Sequence, residues 1–330
     1  MTPMKKRNYV FGPVPSRRLG LSLGVDVIPK KVCTLDCVYC EVGTTDKRAL
    51  RRREYFPADA IIAEIEEALA ERSALDFITF SGSGEPTLNL KLGEIIRAAK
   101  QLTSVPVAVI TNGTLLHLED VRFDLAAADV VLPSLDAASQ GVFEKIDRPH
   151  PQLRVDAIVK GLKEFREEYK GQLWLEIMIV KGYNDDEQEL LNLRTVVKEI
   201  RPEKIQLNTV VRPPSVEGVQ PVTDGQLKEI QELFGESCEI IGSYAKHQTA
   251  EVGKCNPAQI LALLERRAMT LDGIVDSQKA GRDNVVDVLR ELKDAGSIVS
   301  FVHRNEEYFR SANAVATENA VKQKKVRSSL

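Results

Sequence analysis

The sequence predicts an α/β protein: a partial (β/α)6 barrel of the TIM type, followed by a small winged helix-turn-helix unit. Short β-branched runs alternate with amphipathic helical stretches between residues 21 and 235, which indicates βα crossovers and a parallel sheet. Polar segments follow most of these strands, and functional residues at the carboxyl ends of strands are typical of β/α barrels. Beyond residue 256 the pattern changes to three short helices and a hairpin.

The barrel elements follow one another in a regular order. The predicted strands span residues 21–28, 77–80, 107–110, 130–132, 174–180 and 204–210. The predicted helices span residues 58–71, 92–102, 153–169, 186–200 and 223–234. In the first helix, one apolar face is formed by Ile61, Ile62, Ile65 and Leu69. Such a face is expected of a helix that packs against a sheet.

The second unit begins at Asn256, where a capping residue precedes a proline in the first helical position. Helices are predicted over residues 257–267, 271–277 and 283–295, and the hairpin over 298–302 and 308–309. Three helices followed by a hairpin predict a winged helix. The predicted divisions are an extension (1–20), the barrel (21–240), a linker with the winged helix (241–310) and a small, polar tail (311–330) that we expect to be disordered.

Composition limits the possible function. With 330 residues, 43% hydrophobic and 28% charged, the chain resembles an ordinary two-domain globular protein. A net charge of −3 excludes a generally basic nucleic-acid coat but does not exclude a local basic patch. No apolar run approaches the ~18 residues that span a bilayer, and no apolar segment follows the basic start to form a signal peptide. We therefore expect a cytoplasmic protein without a membrane partner.

The cysteines form the most specific pattern in the chain. Cys33, Cys37 and Cys40 make a C-x3-C-x2-C motif directly after the first predicted strand. Three thiolates on one loop can bind three corners of a [4Fe-4S] cluster and leave the fourth iron without a protein ligand. The alternative is a zinc site completed by Cys238, Cys255 or a histidine. An odd number of cysteines, three of them within eight residues, suits a ligand set better than disulfides.

This motif and the segments after it resemble the radical S-adenosylmethionine (SAM) superfamily, in particular the branch with wyosine-type tRNA-modifying enzymes. Gly84-Glu85-Pro86 is similar to that family's Gly-Gly-Glu-Pro segment, with Ser83 in place of the first glycine. The resemblance implies that this segment holds the methionyl amine of SAM, and that Tyr39 packs beside the adenine. It further implies that the ribose, the methionyl carboxylate and the rim of the site involve Thr111, Asn112, Ser134, Asp136, Lys181 and Asn208.

The resemblance also implies a mechanism. SAM binds the open iron through its amine and carboxylate, and an electron from the reduced cluster breaks a C–S bond of the sulfonium. The products are methionine and a 5′-deoxyadenosyl radical, which abstracts a hydrogen atom from the substrate. The cofactors are then a [4Fe-4S] cluster and SAM, and the partner is an electron donor such as flavodoxin or ferredoxin.

Three hypotheses for the substrate stay open at this level. Residues 1–55 carry 12 basic and 5 acidic side chains, which favours a phosphate-rich substrate such as tRNA. The outward face of the third winged-helix helix is mixed to acidic, which favours a peptide, a protein or a small metabolite instead. The third hypothesis is a cluster-bearing regulator without catalysis, whose winged helix binds DNA.

Overall fold

The computed structural model describes residues 7–45, 47–71, 75–241, 255–278, 280–317 and 319–320. An eight-stranded sheet dominates it, and the order of its strands in space equals their order in the chain. Strand β1 (Val10–Ser16) runs antiparallel to β2 (Gly20–Val25). The strands that continue the sheet in parallel are β3 (Phe77–Phe80), β4 (Val107–Thr111), β5 (Val130–Pro133), β6 (Gln172–Ile179), β7 (Lys204–Thr209) and β8 (Cys238–Ile240).

Helices connect these parallel strands. They are α1 (Ala58–Ala70), α2 (Leu92–Leu102), α3 (Glu119–Leu125), α4 (Gln140–Ile146), α5 (Val155–Glu168), α6 (Glu187–Ile200) and α7 (Asp224–Phe234). Their apolar faces pack on the sheet; in α1, for example, Ile61 and Ile65 are fully buried. The predicted fold class, a partial TIM-like barrel, is confirmed. Among the described residues, no helix combines the length and the apolar character needed to cross a membrane.

Part of the predicted N-terminal extension (1–20) forms a strand of the sheet. Residues 10–16 belong to the sheet as β1 and not to a separate extension. Gly12, Pro13 and Pro15 disguise this strand, because glycine and proline are unfavourable in strand interiors. They are tolerated here because β1 is an edge strand with an irregular register between Phe11 and Val14. Strand β8 and helices α3 and α4 were also missed, since three to seven residues are too few to show a period.

The C-terminal unit has helices α8 (Pro257–Arg266), α9 (Leu271–Gln278) and α10 (Arg282–Asp294), all close to their predicted bounds. Its three-stranded antiparallel sheet has the order β10 (Ile298–His303), β11 (Glu306–Ser311), β9 (Met269–Thr270). These are the elements that a winged helix needs, and that assignment stays a prediction. Residues 312–317 lie in the tail that was predicted to be disordered, but they form a helix. Ala314 of this helix is buried in the protein. Most of the predicted linker (242–254) and the tail from residue 321 lie outside the described residues.

The C-terminal unit packs directly against the first hairpin of the barrel. Val14 of β1 belongs to the same buried apolar cluster as Ile260 and Leu264 of α8. The Arg266 guanidinium lies over the ring of Phe11 at 4.3 Å, and its Nε donates to Asp26 Oδ2 at 2.8 Å. The unit therefore packs on the end of the barrel that carries the cysteine motif.

Two helical glycines, Gly161 and Gly141, differ in how closely other atoms surround them, and replacing each by alanine tests how tightly the barrel is packed. A Cβ on Gly161 in α5 would lie 2.4 Å from the main-chain nitrogen of His117, whereas one on Gly141 in α4 would meet nothing within 4 Å. We expect Gly161→Ala to lower the free energy of unfolding by about 1–3 kcal/mol. Gly141→Ala should raise it by about 0.5–1 kcal/mol through helix propensity. Urea denaturation of both variants measures the difference, and equal effects would contradict this packing.

Candidate functional site

The cysteine motif lies in the long loop between β2 and α1, and that loop is tied to distant parts of the barrel. The main-chain nitrogens of Asp36 and Val38 donate to the carbonyls of Asp147 (3.0 Å) and Ile146 (2.9 Å) at the C-terminal end of α4. Ser215, in the loop after β7, donates its hydroxyl to the carbonyl of Cys37 at 2.9 Å. The barrel therefore holds the three thiols in place before any ligand binds.

Hydrogen-bond donors surround the thiols. Lys31 Nζ donates to Cys40 Sγ at 3.2 Å, and Asn112 Nδ2 donates to Cys33 Sγ at 3.5 Å. Burial raises the pKa of the Cys33 thiol to about 12 and that of Cys37 well above its ordinary value. Burial therefore favours the protonated form of these two thiols, and positively charged iron is what would deprotonate them. Donors directed at the sulfurs also tune the reduction potential of a cluster.

The donor set fits a [4Fe-4S] cluster held by Cys33, Cys37 and Cys40. A single zinc ion would need three or more ligands close together. Among the described residues, no group of three or more Cys, His, Asp or Glu side chains is placed to hold one metal ion. Cys238 is buried in β8 and Cys255 packs against the core of the C-terminal unit. Three thiols on one loop suit three irons of a [4Fe-4S] cluster.

Lys31 provides a test of the cluster environment. The positive charge of Lys31 next to Cys40 stabilises the reduced cluster, which is more negative than the oxidised one. Replacing Lys31 by methionine removes this charge. We expect the midpoint potential to fall by about 60 mV, equivalent to about 1.4 kcal/mol for one electron. Redox titration followed by EPR measures the shift. Lys30→Met is the matched control, because Lys30 Nζ donates to the carbonyl of Glu265 in α8 at 3.1 Å and not to a thiol. The same shift of the midpoint potential in both variants would contradict a local effect of Lys31.

A cavity of about 290 Å³ opens beside the motif. One wall carries Tyr39 and Cys40. Ser81 and Ser134 line the cavity directly after β3 and β5, and Glu176 lines it from within β6. The β1–β2 hairpin and α8 with its C-terminal cap close other sides. The predicted residues Tyr39 and Ser134 are therefore brought to the same cavity as a cluster ligand. Pockets of a few hundred Å³ are usual for small ligands and cofactors.

A smaller cavity behind Tyr39 collects further predicted residues, namely Asn112 and Asp136, with Ser134 shared between the two. The Tyr39 hydroxyl donates to Asp136 Oδ2, and the Met178 main chain donates to Asp136 Oδ1 at 2.8 Å. Burial raises the pKa of Asp136 and of the adjacent Asp147. Repulsion between the two buried carboxyl groups also disfavours the ionisation of both together. This network fixes the orientation of Tyr39.

The segment from Gly84 to Pro86 has a structural role in the site. A Cβ on Gly84 would lie 2.1 Å from the carbonyl oxygen of Val32, so glycine is needed for the cysteine loop to approach. Glu85 is 2% exposed and is the N-cap of a 3₁₀ turn, Pro86–Leu88. Its carboxylate accepts from Thr111 Oγ1 at 2.6 Å and from the Asn112 main chain at 2.7 Å. Direct binding of the SAM amine by Glu85 stays a prediction, because the protein already satisfies this carboxylate.

Two predicted residues have different outcomes. Asn208 Nδ2 donates to Glu176 Oε1 at 3.1 Å and thereby positions a carboxylate that lines the larger cavity. Lys181 is exposed and lines neither cavity. Strand β6 ends at Ile179, so Lys181 already belongs to the turn toward α6. A contact between Lys181 and SAM stays a prediction.

Sequence reasoning missed most of an arginine group around the larger cavity. Its five members are Arg17, Arg18, Arg212, Arg266 and Arg267. The basic Pro-Ser-Arg-Arg segment next to the cysteine loop indicated the first two. Arg266 and Arg267 gave no signal, because they lie more than 200 residues away in the chain and reach the site only through packing of the C-terminal unit.

Comparison with known proteins agrees with this geometry. The family model described as the Radical SAM superfamily matches residues 27–194. A UPF0026 protein of Methanocaldococcus jannaschii is 38% identical over 234 residues, covering 70% of this chain and 72% of that protein. A protein of Brachyspira hyodysenteriae named GTPase Obg is 38% identical over 296 residues, covering 89% of this chain. The chain spans only 44% of the length of that relative.

Among solved structures, a radical SAM methyltransferase from Sphaerobacter thermophilus is similar with a TM-score of 0.49 and 15% identity. The match covers 66% of this chain and 65% of the methyltransferase.

Proposed function

This chain belongs to the radical SAM superfamily, and we propose that it abstracts a hydrogen atom from a small anionic metabolite or a peptide end bound in the 290 Å³ cavity. The family uses a [4Fe-4S] cluster and SAM, which supply the electron and the 5′-deoxyadenosyl radical when bound. The observation that carries the proposal is the position of Cys40 and Tyr39 on the wall of a cavity closed on the far side by the C-terminal unit.

Residues of the chain supply orientation and exclusion of water. Phe11, Val14 and Leu263 present apolar surface to the cavity, where a reactive radical must be kept from solvent. Glu176 is held on two sides, by the Arg18 guanidinium and by the Asn208 amide. A fixed carboxylate on the cavity wall is suited to hold a donor group of the substrate in one position.

A tRNA substrate receives less support from the structure than from the sequence. Several basic side chains of residues 7–55 are engaged within the protein: Arg48 binds the carbonyls of Arg148 and Pro149, and Arg52 binds the carbonyl of Thr87. The exposed basic residues in the described part of this segment include Lys47, Arg51 and Arg53. This group keeps tRNA modification as the second candidate, since exposed lysine and arginine can contact phosphates.

The outward face of α10 argues against a DNA-binding regulator. Its exposed side chains include four acids, Asp283, Asp287, Glu291 and Asp294, beside Arg282, Arg290 and Lys293. Two of the cations already pair with carboxylates, Arg282 with Asp272 and Arg290 with Asp287. A helix that reads DNA needs a positive face toward the phosphates.

The remaining parts of the proposal follow from the chemistry of the family. We propose a flavodoxin or ferredoxin as the electron donor, and a reducing, cytoplasmic setting, in which all five cysteines of the described chain stay free of disulfides.

Isotope transfer tests the proposal. The reduced holoprotein is incubated with SAM and with either the small-molecule fraction or the RNA fraction of cells grown in deuterated medium. We expect 5′-deoxyadenosine carrying one added deuterium from the small-molecule fraction. Deuterium from the RNA fraction alone would favour tRNA modification, and unlabelled product from both fractions would contradict hydrogen abstraction from either class.

A further inference from the structure

We propose that Arg17 and Arg267 form an anion-binding subsite in the larger cavity, which holds a phosphate or carboxylate group of the substrate. The inference rests on the proposed function, because it identifies which group of the substrate is held beside the reacting position. Arg17 comes from the turn between β1 and β2, and Arg267 caps the C-terminus of α8. The two side chains meet at one cavity although 250 residues separate them in the chain.

The first support is an excess of positive charge. Five arginines line this cavity, against two carboxylates, Glu41 and Glu176. Arg18 pairs with Glu176, and Arg212 pairs with Glu41. A cavity wall with more cations than anions attracts a negatively charged ligand.

The second support is that two of the five arginines lack a close carboxylate. Arg17 is 8% exposed, and its ion pair with Glu41 is long, at 4.0 Å. The Arg267 side chain makes no hydrogen bond or ion pair with any residue that the structure describes. Burial holds the pKa of both guanidinium groups below its ordinary range. Both guanidinium groups share one carboxylate, Glu41, which already pairs with Arg212. A buried cation with only a distant, shared carboxylate is costly, and an anionic ligand would reduce that cost.

The third support is the chemistry of the group itself. Guanidinium offers several N–H donors in a planar fork, which matches the paired oxygens of a carboxylate or a phosphate. Two such forks on opposite elements can hold one anion from two sides. By contrast, Arg266 is occupied: its Nε donates to Asp26 and its Nη1 donates to the carbonyl of Ala262 at 2.9 Å.

The subsite gives the C-terminal unit a defined role. Arg267 reaches the cavity because α8 packs on β1, and Arg310 of β11 adds a hydrogen bond to the carbonyl of Val42 at 3.2 Å, two residues beyond Cys40. The unit thus supplies part of the substrate site, and the subsite is complete only when the unit is docked on the barrel.

Titration of simple anions tests the proposal. The reconstituted holoprotein, saturated with SAM, is titrated with inorganic phosphate and with malonate at constant ionic strength in a calorimeter. We expect at least one of the two to bind, and Arg267→Met to weaken that binding by about tenfold or more. Arg267→Lys keeps the positive charge but loses the planar guanidinium group. Its anion affinity should therefore lie between those of the wild type and Arg267→Met. Arg290→Met, on the outward face of α10, is the matched control and should bind like the wild type.

The relative affinities distinguish the two sources of the anion, since phosphate preference points to a phosphorylated substrate and malonate preference to a carboxylate. The proposal is overturned if the wild type binds neither anion, or if Arg267→Met binds as the wild type does. It also fails if the variant loses SAM affinity by the same factor, because the arginines then act on SAM. Weaker tRNA binding with unchanged binding of the small anions would assign the arginines to RNA instead.

Two controls keep the interpretation separate from folding and from the proposed function. Thermal unfolding of Arg17→Met and Arg267→Met shows whether either variant has lost its structure. The affinity for phosphate is then compared with the wild type only in the variant that stays folded. Formation of 5′-deoxyadenosine is followed in the same wild-type samples. If anions bind through Arg267 but no 5′-deoxyadenosine forms, the proposed function is rejected and the subsite is supported. If 5′-deoxyadenosine forms but no anion binds through Arg267, only the subsite is rejected.

Discussion

Replacing Cys37 by serine is expected to remove the iron-sulfur cluster and to abolish SAM cleavage. Cys37 is one of three thiols on a single loop, whereas Cys238 is buried in β8 and Cys255 packs against the core of the C-terminal unit, so neither is placed to replace it. A serine hydroxyl is a much poorer ligand for iron than a thiolate. Iron content should fall from about four atoms per chain to nearly none, and 5′-deoxyadenosine should become undetectable.

The control for this variant is Cys255→Ser. Cys255 packs against the core of the C-terminal unit, away from the cysteine loop. Its replacement should leave iron content and 5′-deoxyadenosine formation at the wild-type level. Retention of a full cluster by Cys37→Ser, or its loss in Cys255→Ser, would contradict the ligand assignment.

Replacing Glu85 by alanine is expected to destabilise the folded protein by about 3 kcal/mol or more. The buried carboxylate accepts two hydrogen bonds from Thr87, one from Thr111 and one from the Asn112 main chain. Alanine would leave all of these donors without partners in a site closed to water. Urea denaturation of the apoprotein measures the loss.

Glu85→Gln separates the hydrogen bonds from the charge. The Oε1 atom takes three of the four donors, and a glutamine oxygen can keep them, while its amide nitrogen would face the Asn112 N–H. We expect a loss of about 1 kcal/mol for this variant. If Glu85→Ala unfolds like the wild type but binds SAM more than tenfold more weakly, Glu85 acts mainly on the ligand and the structural role is wrong.

The barrel itself was predictable because its strands and helices carry regular apolar patterns. Helix α2, with buried Leu92, Ile95, Ile96 and Ala99, shows the period that sequence reasoning depends on. Strand β1 does not, since two prolines and a glycine obscure it and only its pairing with β2 makes it a strand.

The site divides in the same way. The cysteine spacing is local, so it was visible in the sequence. The roles of Gly84 and Glu85 were only partly visible, because their partners are the cysteine loop and the end of β4 rather than a ligand. Arg267 was invisible, because its position depends on the docking of a second unit, and no local pattern encodes such a contact.

The central claim is that this chain cleaves SAM reductively with a cluster on Cys33, Cys37 and Cys40. The most direct measurement is the reaction of the anaerobically reconstituted and reduced wild-type protein with SAM, followed by chromatography of the products. We expect 5′-deoxyadenosine and methionine to form with the wild type only when the reductant is present, and neither to form with Cys37→Ser. A fully loaded, reduced cluster that binds SAM and yields no 5′-deoxyadenosine would contradict it.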